Sequence, residues 1–233
     1  MIYFETLPWD SSFFKFPVAR IVNEINIFSF EIILQNLFEN NISLAYYSTT
    51  TQLTGIENSL YNIRLVDRKT TFIKQINAVP IDGHITFYSK TYPEKKLVQL
   101  AIESGIYSRF NIDEKIGRQN FEDLYTQWII KSVSKEIANE VLIYKFADEI
   151  TGFVTIGEKN NRADIGIIAV DAGFRGKGIG KALMLAAENI CSKKHIYIQV
   201  VTQGDNIAAC KLYESCGYTT EKVEYFYHLW KKD

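Results

Sequence analysis

The sequence predicts an α/β fold, in which a mixed sheet is flanked by helices, with a smaller α/β domain at the N-terminus. Two observations support this prediction. In the second half of the chain, short apolar segments typical of strands alternate with segments of helical period. In the first hundred residues, alternating β-branched segments accompany one amphipathic helix. The polar segment 89–96 contains a proline and is predicted as a linker, so we expect domains at 1–100 and 101–233.

The elements of the N-terminal domain are indicated by the spacing of their apolar residues. Three segments in which apolar and β-branched residues alternate predict strands at 44–49, 62–74 and 84–89. Helical spacing of the apolar residues predicts a helix over 31–41. Trp9 lies in an aromatic N-terminal segment, and we expect it to be buried as an anchor to the core.

The elements of the C-terminal domain follow in a clear order. Apolar residues on one helical face predict a helix over 121–132, and a hairpin that turns at 148–149 comes next. Near the end, a helix is predicted to begin with Asp205 or Asn206 as its cap and to stop before Gly217. The other segments are predicted as strands at 140–147, 150–158, 162–170 and 195–203, a helix at 180–191, and one or two strands within 218–230.

Composition restricts the classes of protein to be considered. A net charge of -1 does not favour binding to duplex nucleic acid, which prefers basic domains. The N-terminus lacks the pattern of a secretory signal, and no apolar stretch is long enough for a membrane span, so we expect a cytoplasmic protein. Cys191, Cys210 and Cys216 show no paired spacing, so we expect core residues and no metal site.

A glycine-rich turn at residues 171–180 suggests an anion site. It follows an apolar strand and leads into a helix, whose first N–H groups lack partners and attract negative charge. The P-loop pattern fails because Ile179 and Gly180 stand where Lys and Ser or Thr are required. The dinucleotide pattern that starts at Gly176 fails because Lys181 replaces its third glycine. A tight structural turn with solvated basic residues is the alternative on this evidence.

Two motifs together resemble the GCN5-related N-acetyltransferases. The segment from Arg175 to Gly180 matches the pyrophosphate loop [R/Q]xxGxG/A of that family. A second signature follows about twenty residues later, in which Asn206, Ala209, Tyr213 and Gly217 match the pattern NxxAxxxYxxxG and Tyr218 follows. The resemblance implies a mixed, mostly antiparallel acetyltransferase sheet, and acetyl-CoA as cosubstrate without a metal.

The resemblance also implies roles for individual residues. Tyr213 stands at the position of the general acid that protonates the departing thiolate, although a tyrosine on a helix can equally be a packed core residue. Asn206 stands at a position that contacts pantetheine. Cofactor contacts are further implied for the strand backbone at Ile168, Ala169 and Val170, and for the loop residues Arg175, Gly176, Lys177, Gly178, Ile179, Gly180 and Lys181.

Several segments spread along most of the chain match a narrower group less strongly: LPWDSSFFKFPVARI, LVDRKTTF, SRF at 108–110, YTQWIIKSV and VVTQGDN. Together they resemble the TDP-fucosamine acetyltransferases. This resemblance implies a nucleotide-sugar acceptor, with acetylation of the 4-amino group of a dTDP-4-amino-4,6-dideoxyhexose at a site to which the N-terminal domain contributes. Asp67 would orient or deprotonate the amine, although an ion pair with Arg68 or Lys69 is an equal alternative. Asp10 and Arg109 are further substrate-binding candidates.

Other functions stay open at this point. The acceptor could be a peptide, an aminoglycoside or a polyamine, or the chain could be a non-catalytic module that binds acyl-CoA. The sequence also leaves a homodimer open.

Overall fold

The computed structural model of the chain describes residues 4–22, 27–77 and 83–232. Its helices are α1 (Pro8–Phe14), α2 (Ile27–Glu39), α3 (Lys95–Ser104), α4 (Arg109–Ile112), α5 (Arg118–Val133), α6 (Ile179–Cys191) and α7 (Ile207–Ser215). Its strands are β1 (Phe4–Thr6), β2 (Val18–Ile21), β3 (Leu44–Thr49), β4 (Tyr61–Gln75), β5 (Ile85–Phe87), β6 (Glu140–Phe146), β7 (Glu149–Lys159), β8 (Arg162–Val170), β9 (Tyr197–Gln203) and β10 (Thr219–Lys231). Within these residues no helix is both long and apolar enough to cross a membrane.

The chain forms two compact units. The first contains Met1–Lys69 together with Val223–Asp233, and the second contains Thr70–Lys222. The strands β4 and β10 each contribute residues to both units. The domain boundary predicted at residue 100 falls inside α3, within the second unit.

The first unit is a small α/β structure. Its strands β2 and β3 are parallel, whereas β1 pairs with β2, and β10 with β3, in antiparallel fashion. The helix α2 buries Ile33, Leu34 and Leu37 against this sheet, as its helical spacing predicts. The prediction for Trp9 is wrong: its side chain is 43% exposed and stacks on Phe13, because α1 packs through Phe14 instead.

The second unit confirms the mixed, mostly antiparallel sheet with helices on both faces. Strands β5 to β8 are antiparallel neighbours in sequence order, and β9 pairs with β8 in parallel. One face carries α6 and α7 over a core that includes Leu183, Met184 and Val200. The opposite face carries α3 and α5 over a separate core that includes Leu100 and Phe153.

Most of the predicted elements are present. The strand predicted at 162–170 has those bounds, and the last segment forms one strand. The hairpin turns one residue earlier than expected, at Ala147 and Asp148, which both adopt positive φ. The linker predicted at 89–96 is wrong in part, because α3 begins at Lys95, directly after its N-cap Glu94.

Candidate active site

The strand β8 carries a bulge at the point where it leaves β9. Val154 pairs with Ile168 and Ile156 pairs with Ile165, so two residues of β8, Gly166 and Ile167, lie opposite the single residue Thr155. The Thr155 hydroxyl accepts a hydrogen bond of 2.8 Å from the Ile167 N–H. A bulge bends its strand and increases its twist. The parallel ladder with β9 accordingly ends at Ile165, which leaves a gap between the two strands.

Beyond the bulge, the backbone N–H and C=O groups of β8 point alternately toward β7 and toward this gap. Ile167 N–H and Asp171 N–H both donate toward β7, the second to the Thr151 carbonyl at 2.8 Å. Because backbone groups of a strand alternate in direction, Ala169 also faces β7, whereas Ile168 and Val170 face the gap. The outward-facing N–H groups of these two residues and the Ile168 carbonyl can therefore pair with a ligand that lies between the strands, whereas the Val170 carbonyl already accepts a hydrogen bond from Arg175.

The glycine-rich turn joins β8 to α6 with its helix start uncapped. Gly176 and Gly178 have φ of 75° and 81°, values that favour glycine. Gly178 is the N-cap of α6, and no side chain accepts from the first-turn N–H groups. Gly180 serves a different purpose, because an added Cβ would lie 3.1 Å from the Leu212 side chain on α7. The turn thus presents free N–H groups at the positive end of a helix, which suits a phosphate.

The basic side chains of the turn are exposed and differ in their contacts. The Arg175 guanidinium donates through Nε to the Val170 carbonyl at 3.1 Å. The Lys177 ammonium lies 4.7 Å from the centre of the Phe174 ring. Asp171 pairs with Lys96 of α3 and accepts from Gly173 N–H, and these two contacts lower the pKa of its carboxyl group. The start of the turn is thereby fixed to α3.

The helix α7 brings the second signature to the same place. Asn206 is its N-cap, and its Oδ1 accepts from Ala209 N–H at 3.2 Å. Tyr213 is 3% exposed, and its ring packs edge-on against Phe72 and beside Tyr218. Burial raises the pKa of its phenol, and neighbouring Cys210 adds to the effect. Within the described part of the chain, the Tyr213 hydroxyl makes no hydrogen bond.

A cavity of about 590 Å³ connects these features within the second unit. Its wall contains residues of α6 and α7 from one face of the sheet and residues of α3 and α5 from the other, so it passes through the gap between β8 and β9. The predicted site residues that line it are Ile168, Val170, Arg175, Gly176, Gly178, Ile179, Gly180, Lys181, Asn206 and Tyr213.

Five predicted residues lie elsewhere. The side chain of Ala169 faces the core under α3 and α5. The ammonium of Lys177 lies over Phe174, outside the cavity wall. Arg109 begins α4 and lies over the ring of Phe110. Asp67 and Asp10 belong to the first unit.

Asp10 and Asp67, the two predicted residues in the first unit, lie near other residues of that unit that could be their partners. Asp10 accepts a hydrogen bond of 3.4 Å from the Tyr46 hydroxyl. Asp67 is half-buried on β4. Lys69, one of its two suggested partners, instead pairs with Glu224 at 3.6 Å. Their roles stay predictions.

Sequence reasoning missed the wall of the cavity on the side of α3 and α5. That wall includes Glu103, Ser104, Ile106, Tyr107, Tyr125 and Trp128. Helical spacing predicts Tyr125 and Trp128 only as part of a core-facing helix surface. The α3 residues follow the segment predicted as a linker, and the N-cap of the helix, Glu94, forms no side-chain cap, so the usual start signal of a helix is missing there.

The chain matches known proteins along its length. The model of the acetyltransferase (GNAT) family matches residues 97–218, more than half of the chain. Among curated relatives, the spore coat polysaccharide biosynthesis protein SpsD of Bacillus subtilis is 24% identical over 82% of this chain and 77% of its own. The dTDP-fucosamine acetyltransferase of Escherichia coli is 27% identical over 95% of this chain and 96% of its own. A solved GCN5-related N-acetyltransferase from Sphaerobacter thermophilus shares the fold, with a TM-score of 0.55 at 13% identity over 98% of this chain and 76% of that one.

The family match includes both signatures, the gap between the parallel strands and the cavity that joins them. The chain therefore belongs to the acetyltransferase (GNAT) family and is an acyl-CoA-dependent N-acetyltransferase.

Proposed function

We propose that the protein transfers the acetyl group of acetyl-CoA to the 4-amino group of a dTDP-4-amino-4,6-dideoxyhexose by direct attack. The observation that carries this proposal is the cavity that passes through the sheet, because it lets donor and acceptor approach one point from opposite faces. The acceptor is suggested by the dTDP-fucosamine acetyltransferase, which matches nearly the whole of both chains.

The donor would lie along the glycine turn and the gap. The pyrophosphate would accept hydrogen bonds from the free N–H groups after Gly178, with Arg175 and Lys181 adding positive charge. The pantetheine arm would pair with the gap-facing backbone of Ile168 and Val170 as a strand would. Ala169 and Lys177 have no part in this arrangement. The Ala169 side chain packs against the core under α3 and α5, and the Lys177 ammonium lies over the ring of Phe174.

The thioester would then lie where β8 and β9 separate. When the amine attacks, negative charge develops on the thioester oxygen. The Ile168 N–H faces the gap and can donate to that oxygen, which is the preorganised stabilisation that acyl transfer needs.

Tyr213 would protonate the departing thiolate. Burial keeps its phenol protonated at neutral pH, so the proton is present when the bond between carbon and sulfur breaks. A raised pKa also makes the phenol a weaker acid. The same burial disfavours a charged thiolate in the cavity and so raises the pKa of the thiol. The difference between the pKa values of the phenol and the thiol is thereby reduced.

The remaining predicted residues are assigned to the acceptor site in this proposal. Asp67 would orient or deprotonate the sugar amine with help from Asp10, and Arg109 would meet a nucleotide phosphate. We further propose a cytoplasmic location and leave a homodimer open.

The test is release of free thiol from acetyl-CoA with a panel of amines, with the acetylated product identified by mass spectrometry. The panel contains dTDP- and UDP-linked amino sugars, an aminoglycoside, a polyamine and a peptide. We expect turnover to be fastest with a dTDP-4-amino-4,6-dideoxyhexose. Preference for another amine would refute the acceptor, and tight acetyl-CoA binding without turnover of any amine would refute catalysis.

A further inference from the structure

The basic and the acidic residues of the cavity wall lie in separate places. Arg175 and Lys181 belong to the glycine turn and the start of α6. The single acidic residue among the described lining residues is Glu103, in the last turn of α3. Because α3 and α6 lie on opposite faces of the sheet, the basic and acidic parts of the wall belong to opposite faces.

The carboxylate of Glu103 is half-buried in the wall of the cavity. Its hydrogen-bond partner is the neutral amide of Gln99, which donates to Oε1 at 2.8 Å, and no Lys or Arg among the described residues pairs with it. The last turn of a helix is also the negative end of its dipole, where an acidic residue is unfavourable for the helix. Glu103 and the end of α3 thus create a site that favours a cation.

Aromatic side chains line the same wall of the cavity as Glu103. Tyr125 and Trp128 of α5 lie 4.8 Å apart between ring centres, and Tyr107 is 37% exposed on the turn after α3. The ring of Tyr125 occupies the space beside Gly105, where any Cβ would lie 2.3 Å from it. Aromatic faces bind cations, and their apolar surface suits the hydrogen-bearing face of a hexose ring.

We propose that this wall is the acceptor-amine subsite, with Glu103 binding the sugar ammonium and taking its first proton. The inference rests on the acetyl transfer proposed above and places a proton acceptor within the second unit itself. The ammonium gives one proton to the Glu103 carboxylate, which passes it to water. The nitrogen lone pair forms the bond to carbon as the bond to sulfur breaks and Tyr213 protonates the sulfur. The second nitrogen proton then restores the tyrosine hydroxyl, directly or through water.

The experiment compares Glu103→Gln with Glu114→Gln in the full chain. Glu114 is exposed in the same unit and does not line the cavity, so its variant removes an equal charge as a matched control. For Glu103→Gln, we expect the KM for the amino sugar at pH 7 to rise about tenfold or more, because a hydrogen bond to a charged group is lost. The acid limb of kcat/KM should move to higher pH, because only free amine then reacts. Glu103→Asp should restore part of the activity.

Three further results decide the question. The Kd for acetyl-CoA should be unchanged in Glu103→Gln, and Tyr107→Leu should raise the acceptor KM without moving the acid limb. If the wild type acetylates the dTDP-linked amino sugar and Glu103→Gln has the wild-type KM and pH profile, this inference is overturned while the proposed function stands. The inference is likewise overturned if Asp67→Asn alone moves the acid limb. If the wild type acetylates no amine, both proposals fail.

Discussion

Tyr213→Phe separates catalysis from folding because of where the hydroxyl lies. The ring is buried against Phe72 and Tyr218, and phenylalanine keeps that packing. The hydroxyl has no hydrogen-bond partner among the described residues, although it belongs to a side chain that lines the cavity. Removal of the hydroxyl therefore deletes the proposed proton donor without breaking a bond within the protein.

We expect Tyr213→Phe to raise the stability of the protein and to lower its kcat. A buried hydroxyl without a partner costs about 1–3 kcal/mol. Because the cavity gives the Tyr213 hydroxyl some access to water, we expect a gain in stability near the lower end, about 1 kcal/mol, which corresponds to about 2–4 °C in Tm for a unit of this size. General acid catalysis contributes about a hundredfold to ten-thousandfold, so kcat should fall by that factor, or about 2.7–5.5 kcal/mol in activation free energy.

The assays are thiol release for kcat, calorimetric titration for the Kd of acetyl-CoA, and thermal unfolding. Tyr218→Phe is the matched control, since Tyr218 is equally buried beside Tyr213 but does not line the cavity. It should leave kcat unchanged. A Tyr213→Phe enzyme within about threefold of the wild-type kcat would refute the role as general acid, because it lies far below the contribution expected of one. A fall in Tm of several degrees would instead reveal a structural role.

The pH dependence gives an independent check on the same residue. Because burial raises the pKa of Tyr213 above the usual value near 10, the phenol stays protonated through the neutral range and loses its proton only at higher pH. The wild-type kcat should therefore show no alkaline decline up to about pH 9. A decline centred between pH 7 and about 9 in the wild type, absent in Tyr213→Phe, would contradict this sign.

The other predictions concern the donor site, the acceptor and the bulge. Gly178→Asp should weaken coenzyme A binding by more than about tenfold in a titration, through a like charge and backbone strain at a φ of 81°. Gly55→Asp in the first unit shares a positive φ and open space, and it should leave the Kd unchanged. Asp67→Asn should lower turnover of the amino sugar with normal acetyl-CoA binding; full activity would return Asp67 to a surface pairing. Thr155→Val should lower the free energy of unfolding by about 1–3 kcal/mol, because Ile167 N–H loses its partner, and Thr155→Ser should recover it.

Local signals in the sequence are sufficient for the elements that form the proposed donor site. Glycines that require positive φ, an Asn that caps its own helix and an apolar strand before the turn are each encoded within a few residues. The sequence therefore predicts the elements around Gly178 and Asn206 closely. The family resemblance adds a strand whose backbone is free to meet pantetheine, and the parallel ladder of β8 with β9 does end before Ile168.

The proposed acceptor half of the site depends on contacts between distant segments, which periodicity does not reveal. Glu103 and Trp128 meet at one cavity only because α3 and α5 pack side by side on the sheet. Alternation along β8 also changes phase at the bulge, so the side chain of Ile168 shares a core with Ile165, and that of Ala169 faces the opposite core. A pattern that counts every second residue cannot detect the extra residue at Gly166.

In the proposed arrangement, the donor would complete the sheet at the gap between β8 and β9. In the free protein, the outward amides of Ile168 and Val170 face a cavity rather than a neighbouring strand, and they should exchange their hydrogens with solvent readily. The amide of Ile167, bonded to Thr155, should exchange slowly in either state. Bound pantetheine would take the place of the missing strand, so the exchange rates of adjacent amides on a single strand would report occupancy of the site.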